Sequence, residues 1–236
     1  MSGAAFALLA AAVVLAAFVQ GASGLGFALI CTPVIGIVRP DLVPVTTLVL
    51  MIPLNAYIAW RGRRHIDLGG SGWITLGRVP ATLGGLALLA VVPAAKLNLL
   101  VGAATVLAAL ASFAAPAFTP GKATLLGVGA VTGIVETATG VGGPPYALAY
   151  QHRPAAELRA TVALCFLVGE IVSLAVLFAT GRVHAEQLDA SLLLFPALVV
   201  GAGASHFVHH RVSGPRVRVG VLGFALASGL ALLVKV

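Results

Sequence analysis

The chain has 236 residues, 60% of them hydrophobic and only 9% charged, with a mean hydropathy of +1.08. That composition excludes a soluble domain, whose surface needs far more polar side chains, and it points to an integral membrane protein. The net charge of +7 is then a guide to orientation, since cytoplasmic loops accumulate Lys and Arg, and no sign of a nucleic-acid partner.

An apolar run over residues 4–38 opens the chain without a charged segment ahead of it, so it reads as retained membrane segment and not a cleaved signal peptide. The run is interrupted by QGASGLGF at 20–27. Stretches 42–60, 73–92 and 97–115 follow, each close to the roughly 20 residues a helix needs to cross the hydrocarbon core. Residues 116–122 punctuate the chain. A second broken run then occupies 123–150, interrupted by ETATGVGG at 136–143, and stretches 162–180, 188–206 and 217–234 complete the pattern.

The two halves, 1–118 and 119–236, align. Ser23-Gly24-Leu25-Gly26 matches Thr139-Gly140-Val141-Gly142, Arg39-Pro40 matches Arg153-Pro154, and Pro80 matches Pro196, at offsets of 114 to 116. Such duplication in a transporter often sets the binding site between the repeats. If each broken run crosses the membrane once, the repeats are parallel and the basic residues divide six against seven, with no bias. If each run enters and returns on one side, as a re-entrant hairpin or a helix pair, the repeats are inverted. Arg61, Arg63, Arg64, Lys122, Arg153, Arg159, Arg211, Arg216 and Arg218 then lie inside, against Arg39, Lys96, Arg182 and Lys235 outside. The positive-inside rule selects this arrangement, with both termini outside. The expected fold is an all-α polytopic membrane protein of two inverted repeats, each a Gly-broken segment followed by three transmembrane helices.

Backbone that leaves helical geometry inside a membrane is tolerated only where protein or a wet cavity covers it. Glycine permits the turn and lets a ligand approach bare backbone. A helix restarting after Gly26 or Gly143 presents free N–H groups and the positive end of its dipole, which attract an anion. The expected cradle therefore comprises Ser23, Gly24, Gly26 and Phe27 with Thr139, Gly140, Gly142 and Gly143. Small residues that only tighten helix packing are the plainer reading of the same glycines.

Glu136 aligns with Gln20 just ahead of the breaks, and Glu170 lies in the middle of 162–180. Both carboxylates are candidates for carrying a proton, against a purely structural role. Arg78 offers a guanidinium suited to an oxyanion, but it stands about 7.5 Å of helical rise beyond Trp73, within snorkelling reach of the interface. Asn55, Tyr146, Tyr150 and Gln151 can supply neutral donors. His206, His209 and His210 lie beside Arg211 and read as a solvated end, not a metal site. Cys31 and Cys165 lie in apolar segments, as small buried hydrophobes do.

Beyond these readings, the duplicated pattern resembles the TauE/SafE (TSUP) family of sulfite and organosulfonate exporters. The resemblance is carried by SGLGFALICTP at 23–33, TGVGGPPYALAY at 139–150 and RRHIDL at 63–68, and it spans nearly the whole chain. It implies export of small sulfur-containing anions, such as sulfite or sulfoacetate, across a bacterial-type inner membrane without ATP hydrolysis. Phe27 stands where the second half has Gly143, so the first cradle is expected to be narrower on one side. A competing class is a membrane-embedded sulfur-handling enzyme with Cys31 or Cys165 as thiolate, although no HExxH, GxSxG or P-loop pattern is present. The expected partners are the small anion and the bilayer, with no cofactor and no metal. A homodimer is compatible with the sequence.

Overall fold

The computed structural model describes residues 3–93, 96–114, 120–150, 153–212 and 215–234; Gln151 and the side chains of His209, His210 and Arg211 lie outside the described residues. Ten helices and no strand occur among them. The first five are α1 (Gly3–Ser23), α2 (Phe27–Val38), α3 (Val45–Arg61), α4 (Leu68–Val91) and α5 (Leu97–Ala114). The second five are α6 (Lys122–Thr139), α7 (Gly143–Tyr150), α8 (Ala155–Ala179), α9 (Ala185–Val212) and α10 (Pro215–Val234). α1, α4, α8 and the Ala185–Phe207 portion of α9 are long and apolar enough to cross a membrane. The distribution of side chains agrees: Leu83, Leu192, Val200 and Phe207 are exposed, whereas Gln20, Asn55, Arg78, Glu136 and Glu170 are buried. Apolar outside and ionisable inside is the pattern of a chain solvated by lipid. This is an all-α, polytopic membrane protein.

Each broken run becomes a long helix and a short one. α1 has 21 residues and α2 only 12, while α6 has 18 and α7 only 8. The glycines at the breaks adopt backbone that L side chains rarely take: Gly24 has φ 87°, Gly26 φ 121° and Gly140 φ 75°. Helices also begin earlier than their apolar stretches. α4 starts at Leu68, not near Trp73, because Asp67 caps it by accepting the Gly70 N–H at 2.9 Å. α8 starts at Ala155, which puts Arg159 inside the helix.

The most extensive helix pairs are α4 with α6 and α1 with α9, followed by α3 with α8 and α5 with α10. Exchanging the first five helices for the last five maps α4–α6 onto α9–α1 and leaves the other two pairs unchanged. α4 and α6 approach backbone to backbone. A Cβ on Gly77 would collide with the Leu126 carbonyl, one on Gly129 with the Ile74 carbonyl, and one on Gly133 would lie 2.5 Å from the Arg78 carbonyl oxygen. Dispersion contacts and close small-residue packing hold helices together in lipid, where burial from water contributes nothing extra. The close fit also fixes Arg78 beside the last turns of α6.

Candidate functional site

The buried polar residues form two linked groups around the breaks. In the first, the Phe27 N–H at the start of α2 donates to Gln20 Oε1 at 3.0 Å. Gln20 Nε2 donates to Asn55 Oδ1 at 2.9 Å, and Asn55 Nδ2 donates to Glu170 Oε1 at 2.7 Å. Asn55 on α3 and Glu170 on α8 are 115 residues apart. In the second group, Arg78 Nη2 lies 2.9 Å from Glu136 Oε2, and Arg78 Nη1 donates to the Tyr146 hydroxyl. Tyr146 in turn stands edge-on to Phe166 with ring centroids 4.9 Å apart.

Two glycines make room for the ion pair. A Cβ on Gly142 would collide with the Glu136 carboxylate, and one on Gly169 would occupy the Arg78 guanidinium. The Arg78 cation therefore lies against bare α8 backbone at Gly169, one residue before Glu170. Glu170 feels the charges of both Glu136 and Arg78. Arg78 is 1% exposed and both glutamates are fully enclosed. Even so, Arg78 Nε and Nη2, both Glu136 oxygens and Glu170 Oε2 have no hydrogen-bond partner among the described residues. The Arg78–Glu136 contact is at ion-pair distance without hydrogen-bond alignment. Buried polar atoms are nearly always satisfied, which makes this cluster the candidate site.

Several expectations need adjusting. Arg78 does not snorkel: counted from Leu68 it lies about 15 Å along α4 and faces the protein interior. Ser23 and Thr139 serve the breaks themselves. The Ser23 hydroxyl, with one proton to give, lies within donating distance of the Val19 and Leu25 carbonyls and accepts the Leu25 N–H, while that of Thr139 donates to the Val135 carbonyl and accepts the Val141 N–H. At the start of α2, Gln20 Oε1 occupies the Phe27 N–H. Gly24 faces the Arg159 side chain and backbone, Gly140 faces Thr47 and Thr32, and Gly143 faces Leu25 across the two breaks. Gln20, Phe27, Asn55, Arg78, Glu136, Gly142, Tyr146 and Glu170 are thus brought into one region. Gly169 was missed because nothing in its neighbours' identities shows which side chain it faces.

The remaining candidates lie elsewhere. The Tyr150 hydroxyl donates to Asp67 Oδ2 at 3.1 Å, and His206 Nδ1 is 2.9 Å from the Tyr57 hydroxyl. No group of three or more His, Cys, Asp or Glu residues suited to a metal occurs among the described residues. Cys31 and Cys165 are free and buried.

Ten helices around an enclosed cluster of one guanidinium and two carboxyls define a multi-pass membrane protein with a buried polar centre. The family model described as Sulfite exporter TauE/SafE matches residues 9–232, and the chain belongs to that family. It is a family of membrane transporters and not of enzymes. Comparison with curated proteins and with solved structures finds no match.

Proposed function

We propose that the chain exports sulfite or a small organosulfonate, such as sulfoacetate, across the inner membrane by alternating access, and that Arg78 binds the anionic head. The observation that carries this reading is the Arg78 guanidinium, enclosed yet incompletely hydrogen-bonded, beside Glu136. A guanidinium presents a planar fork of donors that matches an oxyanion better than any other side chain. Tyr146 accepts a hydrogen bond from it, while Gln20 and Asn55 lead from the first break to Glu170. The backbone at Gly142 and Gly169 allows close approach.

Charge counting gives the coupling. One guanidinium with one ionised and one protonated carboxyl is neutral, the arrangement least costly in a low-dielectric interior. An arriving monoanion restores neutrality only if Glu136 takes up a proton and yields Arg78 to the substrate. Anion and proton then bind together. Support for a duplication comes from the exchange-related helix pairs and the 115-residue separation of Asn55 and Glu170, and support for its inversion from the nine-to-four division of basic residues.

Radiolabelled sulfite binding and efflux from proteoliposomes between pH 5 and pH 8 test the reading. Arg78→Gln is expected to abolish binding. Glu136→Gln should bind sulfite but lose the pH dependence. Unchanged pH dependence in Glu136→Gln would reduce Glu136 to a structural part, and normal affinity in Arg78→Gln would remove Arg78 from the site. Transport that survives replacement of both Cys31 and Cys165 by Ala would dispose of thiol chemistry.

A further inference from the structure

A second basic feature lies away from the central cluster. A cavity of about 260 Å³ opens between α1, α3 and α8, lined by Gly21, Tyr57, Arg61, His65 and Arg159 among others, none of them acidic. Its two guanidinium groups come from different halves of the chain. Arg61 closes the last turn of α3, with its guanidinium carbon 5.9 Å from the Tyr57 ring centroid. Arg159 stands in the second turn of α8, and each arginine adds to a positive potential that repels the other. The acidic residue nearest in sequence, Glu157, faces Arg153 at 3.5 Å. Like charges held in one cavity without an acidic lining residue are a standing attraction for an anion. The cavity also adjoins the first break: a Cβ on Gly24 would stand 2.7 Å from Arg159 Cγ and 2.9 Å from its Cα.

We propose that this cavity is a second oxyanion site, separate from Arg78, in which Arg61 and Arg159 together hold a small sulfur oxyanion before it reaches the central cluster. The site rests on the anion-transport reading for its role but not for its chemistry. A tetrahedral or pyramidal oxyanion fits within the cavity with room for water, and guanidinium groups are the donors it prefers. The positive end of α8 adds to the same field. The other source of this chemistry is the phosphate of an anionic lipid headgroup, which reaches the same membrane level.

Equilibrium binding of radiolabelled sulfite to the full chain in nanodiscs of zwitterionic lipid tests the site. The wild type is expected to bind two sulfite ions per chain, Arg61→Gln/Arg159→Gln one, and Arg78→Gln one. Arg159→Lys on the Arg61 background should retain part of the second site, which guards against a folding defect. In proteoliposomes the double variant should raise KM about tenfold at unchanged kcat and flatten the dependence on ionic strength. Repeating the binding in nanodiscs with anionic lipid separates the sources: retained stoichiometry assigns the cavity to the free anion, while loss of only this site assigns it to a headgroup. Two ions still bound by the double variant would overturn the proposal. Loss of the Arg78 site alone would leave it standing and instead touch the transport reading.

Discussion

A guanidinium enclosed by protein and lipid needs a negative partner, and Glu136 supplies one at 2.9 Å from Arg78. Removing that charge strands the cation, a change worth about 3–5 kcal/mol when a buried pair is broken. Glu136→Gln is therefore expected to lower the thermal midpoint of the detergent-solubilised protein, and millimolar sulfite to restore much of it, because an anion then fills the vacated place. A midpoint unmoved by sulfite would show that the anion does not reach Arg78. Ser23→Ala and Thr139→Ala make a contrast. Each hydroxyl bonds only its own break, so each loss is on the order of 1 kcal/mol of stability, with sulfite affinity unchanged. A several-fold loss of affinity in either variant would mean that the hydroxyl faces the ligand.

At the scale of elements, the breaks matter less as anion-binding helix ends than as the means of seating side chains. Gln20 from α1 reaches the start of α2, and the Glu136 carboxylate from α6 lies under Gly142 just ahead of α7. That much was half legible in the sequence. Polar residues inside oily runs named Gln20, Asn55, Glu136 and Glu170 directly, and the repeated glycines located both breaks. The partner of Arg78 was not legible, because α4 begins at Asp67's cap and an apolar window starting at Trp73 set the arginine too near the surface. Gly169 was also hidden, since a glycine among apolar residues says nothing about what it faces. It now supports a test. Gly169→Ala favours the α8 helix intrinsically by roughly 0.5–1 kcal/mol, yet its Cβ occupies the place of the Arg78 guanidinium. The variant should insert and fold while sulfite affinity falls at least about tenfold, equivalent to about 1.4 kcal/mol. Unaltered affinity would mean that Arg78 need not lie against α8 to bind.

For the whole molecule, the question is how the halves are joined and which way they face. Arg39 pairs with Asp41 and lies 3.5 Å from Glu186 at the start of α9, while Gln187 Nε2 donates to the Asp41 carbonyl at 2.9 Å. The hydrogen bond from Arg39 holds the Asp41 carboxyl below the usual carboxylate range. A depressed folded-state value means that this contribution is present above the unfolded pKa and is lost as pH falls through the folded one. The stability gap between wild type and Asp41→Asn should therefore be open at pH 7 and close below about pH 4, and it should stay small because the pair is largely exposed, within roughly 1 kcal/mol. Orientation follows from other contacts. Gly21 near the end of α1 and Arg61 at the end of α3 line one cavity, so the two helices finish at the same level. α1 is 21 residues long and rises about 30 Å, the thickness of the hydrocarbon core. Its first residue is then expected on the opposite side from the Arg61–Arg64 turn, which the proposed orientation puts in the cytoplasm. Cysteines introduced at Gly3, where a Cβ meets nothing within 4 Å, and at exposed Arg64 report the two sides. In intact cells on a Cys31→Ala/Cys165→Ala background, a membrane-impermeant maleimide should label position 3 and reach position 64 only after the membrane is opened. Labelling of both positions from outside would sink the inverted arrangement, and the reverse order would turn the exporter's cytoplasmic face the other way.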